Sequence, residues 1–581
     1  MNNMFKNIDS LETLEMFSNT SDKILSMQSV FEGCINLKNI SINGFDIKDI
    51  KSTSKLFYNT SINNVNISDF KENNIEDISY MFSSINTTQL NLNGFNTSNV
   101  KNMSYMFSNC RFTSLDLSNL NTSKVNDMSS MFNKCSSLLE LNLNNFKTNE
   151  LINMSNIFSF CSSLKNINIS NINTSKVLDM SNMFQECGSL ESIDIIELDT
   201  SNVKNMSGMF KYTSLLNINV SSFNTKNVID MKEMFSHCQS LTSLDLSNFN
   251  TSKVITMEGM FEGDLRIQYL DVSNFDTSNV ENMESMFLQL LHVKSLDVSR
   301  FNTKKVKSMK YMFLMCQDLK DLDVSNFDTS NVLDMCSMFR FCSSLKSIDV
   351  SNFDTSKVTD MSFMFYHCNS LLNLNLSNFN TSNVVEIRRM FERCESLKVL
   401  DISSFKVDKI KDFSFMFFFC LSLEYLDLYN FETNEARNMR GMFGSCESLT
   451  SLNIINFDTS KVTEMGYMFT SLTSMTKLNI SKFDTSNVEN MESLFSFSGN
   501  LTSIDISNFN TSKVQNFESM FGLCENIKYL DLTSFNLLNG KKFEEMFYKC
   551  VNLTLFIKNE TKSIDLFIKN IPEHINVTFI D

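Results

Sequence analysis

Apolar positions recur along this chain with a single period. The clearest marker is a Met-Phe pair whose Phe falls at Phe31, Phe57, Phe82, Phe107, Phe132, Phe158, Phe184, Phe210, Phe235, Phe261, Phe287 and Phe313, then every 26 residues from Phe339 to Phe547. Phe5 lies 26 residues before Phe31, so the register starts with the first residues. One period can be read from Phe235 to Phe261. Leu244 and Leu246 alternate with Ser243 and Asp245, the pattern of a strand with one buried face. Asn250-Thr251-Ser252 is a polar cluster suited to a turn and a helix N-cap. Val254, Met257, Met260 and Phe261 follow at helical spacing and predict a short helix.

A single unit of this kind does not close a core. Its roughly eight apolar side chains contribute about 1.5–3 kcal/mol each on burial. Ordering its backbone costs about 1–2 kcal/mol per residue. Stacked neighbours supply the difference. The expected fold is therefore an α/β repeat solenoid of leucine-rich-repeat type, about 21 turns of 25–26 residues, with a parallel sheet on one face and short helices on the other. Residues 1–30 read as a degenerate first repeat at the N-terminal edge, 31–550 as tandem repeats, and 551–581 as a C-terminal cap with strand-like TLFIK and INVTFI. At the N-terminus two readings stand open: a chain that begins further upstream, or a weak cap made by the first repeat.

Composition adds what the partner is not. The net charge is −16, from 66 acidic and 50 basic residues. No basic face is visible, so nucleic acid and anionic membrane surfaces are disfavoured as partners. No apolar run has transmembrane length, and neither a signal peptide nor an anchor is seen at the ends. No Gly-rich phosphate loop, Ser/His/Asp set or zinc-ligand spacing stands out, and the four histidines are scattered. An enzyme is not expected, and neither is a cofactor.

The segment Leu-x-x-Leu-x-Leu resembles the strand signature of leucine-rich repeats. The fuller pattern SLTSLDLSNFNTSKVITMEGMF is similar to the 26-residue repeats of BspA-type bacterial surface proteins. The resemblance spans residues 5–555. It implies surface display or secretion and adhesion to a protein or glycan. One departure concerns the corner. Ordinary leucine-rich repeats place Asn where this chain has Phe249, Phe275 and Phe327, with Asn248, Asn274 and Asn326 one residue earlier, so a Phe spine is expected to replace the Asn ladder.

In a solenoid, function lies in columns, the same repeat position read from turn to turn. The strand position four before the spine Phe is nearly all Asp or Asn, with successive Asp245, Asp271, Asp297, Asp323 and Asp349, then Asp401 and Asp427. One reading is a stripe for basic groups, or for weakly associated divalent cations. The other is a solvated face in which each Asp bonds locally. A calcium site needs six to eight converging oxygens, which one column does not supply. Tyr425 and Tyr429 flank Asp427 and are candidate contact anchors. The cysteines form a column three residues after the marker Phe, with Cys336 alone out of phase. That column reads as core packing. Leu288, Leu314, Tyr366 and Phe418 form a second apolar column beside the expected helix. Together these features point to a non-enzymatic binding surface: a displayed adhesin or protein-interaction solenoid, or alternatively an intracellular or host-directed scaffold using the same face.

Overall fold

A computed structural model describes the chain except residues 19–22, 63, 67–73, 93–94, 264–265 and 581. The chain forms two compact units, Met1–Val280 and Glu281–Asp581. Within each, one repeat makes one turn, and the next turn lies against it in parallel. In the first unit Glu140–Asn142 pairs with Asn166–Asn168, Leu141 opposite Ile167. In the second, Asn373–Asn375, Val399–Asp401, Tyr425–Asp427 and Ser451–Asn453 make a four-stranded sheet, with Leu374 opposite Leu400 and Leu426 opposite Leu452. The period is what sets this register, since a slip of one residue would turn every inward Leu out to water.

The strands are short for a local reason. The carboxylate of Asp427 accepts the N–H of Tyr429 at 3.0 Å, and Asp349 accepts that of Ser351 at 3.0 Å. Each side chain thereby stands in for a backbone acceptor and bends the chain as the strand ends. The Asn-Thr-Ser corner works in the same way: Asn250 accepts from Ser252 N–H at 3.1 Å. Its Thr is buried and joins two turns. Thr355 Oγ1 donates to the Asn380 carbonyl at 3.0 Å and accepts the Asn380 N–H at 2.8 Å. Thr381 does the same with Lys406, at 2.8 and 2.6 Å.

The expected face of short helices is absent among the described repeats. In the Met-Phe run, every second N–H leaves its own turn. Phe413, Phe415 and Phe417 donate to the carbonyls of Asn438, Arg440 and Met442 one turn on, at 2.8, 2.8 and 3.0 Å. The intervening Met416, Phe418 and Cys420 close tight turns onto Phe413, Phe415 and Phe417. Two residues per repeat, such as Phe415 (φ 56°) and Phe419 (φ 61°), are left-handed. A helix needs right-handed backbone throughout and turns its N–H groups back four residues. Here the left-handed residues reverse the curl and aim N–H groups along the stack. The 3-3-1 spacing of apolar residues fits this chain of tight turns as well as it fits a helix. The only α-helix among the described residues is Asp565–Lys569.

The core is built of files. Marker rings stack from turn to turn, with centroids 5.6, 5.7 and 5.6 Å apart along Phe287, Phe313, Phe339 and Phe365. Spine rings do likewise, 6.5 and 6.4 Å apart along Phe327, Phe353 and Phe379. The spine does not replace an Asn ladder, as the sequence led us to expect. Asn352 donates to the Ser325 carbonyl and Asn378 to that of Ser351, both at 2.9 Å, so the ladder persists one residue earlier. All 15 cysteines are free and buried. In the column, each thiol reaches back to a marker carbonyl, as Cys368 does to Phe339 at 3.1 Å. Burial pushes that thiol up to about 12.

At the C-terminus, strands Thr554–Lys558 and Asn576–Ile580 continue the parallel pairing from Tyr529–Asp531. The helix Asp565–Lys569 sets Phe567 against Phe543 and Phe547 at 5.5 and 6.3 Å. Among the described residues no helix is long and apolar enough to cross a membrane.

Candidate binding face

The strand column emerges as exposed acid, unit by unit. Asp245 and Asp271 lie in the first unit, and Asp297, Asp323, Asp349, Asp401 and Asp427 in the second. Each accepts the N–H two residues on at 3.0–3.1 Å. Ser273, Ser299, Ser325, Ser351 and Ser403 add a hydroxyl at 2.6–2.7 Å. These bonds use Oδ1. Hydrogen bonds from Ser325, first of all from its hydroxyl, hold the Asp323 carboxyl below the usual aspartate value, although Asp297 and Asp349 repel it. The same serine contacts lower Asp297 and Asp349. The local partners thus answer much of the mutual repulsion within the column.

Aromatic side chains break the monotony in the four-stranded sheet. Tyr425 is 51% exposed and Tyr429 54%, on either side of Asp427. In register beside Tyr425 stands Val399, 65% exposed. Ile455 follows Tyr429 in its column and is half-buried. The result is a small apolar island bordered by Asp401 and Asp427. Tyr269 and Tyr529, in the Tyr425 column, are exposed on separate turns. In the first unit the strand face carries a concave trough of about 740 Å³, lined by Glu140, Asn142, Asn166, Asn168 and Asp194 among others.

Two features were not singled out from the sequence. The Thr column is one; its recurrence two residues after the spine Phe, with breaks such as Val407 and Leu537, was the available signal. The other is a set of arginines laid on rings beside the left-handed positions. Arg340 lies 4.8 Å from the Phe363 ring and 4.9 Å from Tyr366, Arg389 4.2 Å from Phe415, and Arg393 4.5 Å from Phe419. Tyr366 and Phe418, of the second apolar column, are half-buried in this packing.

Turn-by-turn parallel stacking with Leu-x-Leu strands and an Asn ladder defines a solenoid of leucine-rich-repeat type. The chain belongs to the family described as "Mycoplasma protein of unknown function, DUF285", which matches in overlapping stretches from residues 1–114 to 448–560. No curated protein matches it in sequence. Similar solved structures include a leucine-rich repeat protein from Bacteroides ovatus, 16% identical over 81% of this chain and 88% of that one, with a TM-score of 0.30. Another, from Eubacterium ventriosum, is 14% identical over 55% and 82%, TM-score 0.30. A leucine-rich cell surface protein from Faecalibacterium prausnitzii is 18% identical over 49% and 84%, TM-score 0.25. The family match tiles the chain along the same repeats on which the resemblance to BspA-type repeats was drawn.

Proposed function

We propose that this chain is a non-enzymatic binding solenoid, displayed on a cell surface as an adhesin, whose strand face holds a protein or glycan ligand. The observation that carries the reading is the island of Val399, Tyr425 and Tyr429 on a face otherwise made of Asp, Asn and Ser. Rigid, amphipathic tyrosines on a regular sheet give contact area at little entropic cost. The exposed carboxylates of Asp401 and Asp427 lie beside them and suit sugar hydroxyls or basic side chains. The exposed carboxylates along Asp245 and Asp271, and along Asp297, Asp323 and Asp349, support weak divalent-cation association. Many such contacts, individually weak, add through avidity.

The test is binding of the full chain to a panel of glycans, matrix proteins and co-resident cells. The triple substitution Tyr425→Ala, Asp427→Ala, Tyr429→Ala is run beside the native chain. Binding that the triple variant loses supports the face. Binding that it leaves unchanged removes these residues from the site. Protease shaving of intact cells tests display: a chain left uncut is not on the surface.

A further inference from the structure

The column five residues before each marker Phe bridges from turn to turn in parallel. In the first unit it alternates acid and amide: Asp127, Asn153, Asp179, Asn205, Asp230. The alternation keeps like charges two turns apart, where adjacent ones would repel through a half-buried medium. In the second unit the alternation fails. Asp334, Asp360, Glu386 and Asp412 follow one another, with Asp334 bridged to Asp360 and Asp360 to Glu386. Lys310 answers Asp334 from one side and Arg388 answers Glu386 from the other. Neither stands between Asp334 and Asp360.

At this break sits Cys336, the cysteine outside the core column. Cys336 is 8% exposed. Column thiols donate to a marker carbonyl, whereas among the described residues Cys336 meets the hydroxyls of Ser362 and Ser337, at 3.4 and 3.7 Å. Its Sγ and one oxygen each from Asp334 and Asp360 lie within 4.8 Å of one another. Bonds of about 2.3 Å to sulfur and 2.0 Å to oxygen around one tetrahedral ion place ligand atoms roughly 3.3–3.5 Å apart. Small side-chain rotations close that difference. The carboxylates are already held from behind: Cys336 N–H donates to Asp334 Oδ1 at 2.8 Å, and Ser362 Oγ to Asp360 Oδ1 at 2.5 Å. Both aspartates are half-buried and keep a side toward water.

We propose that Asp334, Cys336 and Asp360 bind one thiophilic divalent cation of the zinc class. The thiol binds as thiolate and releases its proton to solvent; each aspartate gives one oxygen, and water completes the shell. A soft sulfur beside two hard oxygens favours a borderline ion over calcium or magnesium. The cation occupies the place where the broken alternation leaves negative charge unanswered.

The experiment uses the full chain, reduced and stripped with chelator, then titrated with Co²⁺ by absorption and with Zn²⁺ by calorimetry. The expected result is one saturable ion with a thiolate-to-cobalt charge-transfer band. Cys336→Ser abolishes the band, and Ser362→Ala weakens binding on the order of 10-fold or more. Ser414 occupies the position of Cys336 three turns on, so the serine variant suits the fold; circular dichroism checks it. Cys342→Ser, in the core column where Ser498 is already accepted, leaves the band intact. Absence of saturable binding, or a band that survives Cys336→Ser, overturns the proposal.

Discussion

Thr355→Val separates hydrogen bonding between turns from burial alone. Thr355 is fully buried, and its hydroxyl serves both polar groups of Asn380 in the next turn, accepting from its N–H at 2.8 Å and donating to its carbonyl at 3.0 Å. Valine keeps the shape and adds apolar surface, so a core held by burial alone would be unchanged or improved. An unsatisfied buried backbone group costs about 1–3 kcal/mol. The Asn380 side chain lies at the surface, so the low end applies to each of the two groups. The expected loss is about 2 kcal/mol, on the order of a 30-fold change in the folded ratio. Thr355→Ser keeps the hydroxyl and loses one methyl, about 0.8 kcal/mol. Urea titration followed by circular dichroism gives the order native, Ser, Val. Hydrogen exchange at the Asn380 amide speeds up in Thr355→Val, whereas in Thr381→Val the change falls at Lys406. A valine variant as stable as the serine one would refute the stapling role of this column.

Other outcomes follow from the same geometry. Glu545 is exposed with φ 55°; Glu545→Gly relieves left-handed strain and stabilises by about 1 kcal/mol, measured as a higher urea midpoint. The Asp323 carboxyl is held below 3.8 by Ser325, so its stabilisation is full above the unfolded value and is lost as pH falls through the lowered one. Asp323→Asn therefore flattens the fall in stability with acid below about pH 4. Thiol reagents at about pH 8 leave the native chain unmodified, because burial keeps these groups protonated, and label all 15 cysteines on unfolding. The Tyr425→Ala, Tyr429→Ala double variant unfolds within about 0.5 kcal/mol of the native chain, since exposed side chains of this kind contribute little to the fold; a larger loss would make these two residues structural.

The sequence legibly carried the repeat, the inward Leu and Phe, the parallel register and the packed cysteine file. Each of these follows from a period that admits one inward face per turn. The helix did not survive, and the reason is local. Val254, Met257, Met260 and Phe261 are spaced as on a helix, yet a run of tight turns with left-handed residues presents the same spacing. Among the described residues, five of the left-handed sites in the Met-Phe runs hold glycine: Gly33, Gly208, Gly259, Gly263 and Gly441. Most of the others hold Ser, Tyr, Phe, Lys, Glu or Arg, with His237, Gln289, Met315 and Leu523 among them, and such residues give little compositional warning of positive φ. The Asn-Thr-Ser corner was read as a cap because its Asn accepts an N–H two residues on in either setting. Only the partners one turn away distinguish the two, and no single repeat contains them.

The same reasoning locates what is particular in so uniform a molecule. A column that repeats is explained by the stack, whatever its chemistry: the strand aspartates bend their own chain, the threonines join turns, and the cysteines bond to ring carbonyls. Each role needs only its neighbours and gives no specificity. Information therefore lies where a column changes its rule. On the strand face, Asp/Ser gives way to the exposed Tyr425, Tyr429 and Val399. In the bridge column, alternation gives way to successive carboxylates with a thiol among them. The first departure exposes apolar surface and the second concentrates negative charge, and each is costly to an isolated chain. A ligand offsets the one and a cation the other, so the two sites make separate demands: alanine at Tyr425 and Tyr429 should leave cobalt binding intact, and Cys336→Ser should leave the strand-face ligand bound.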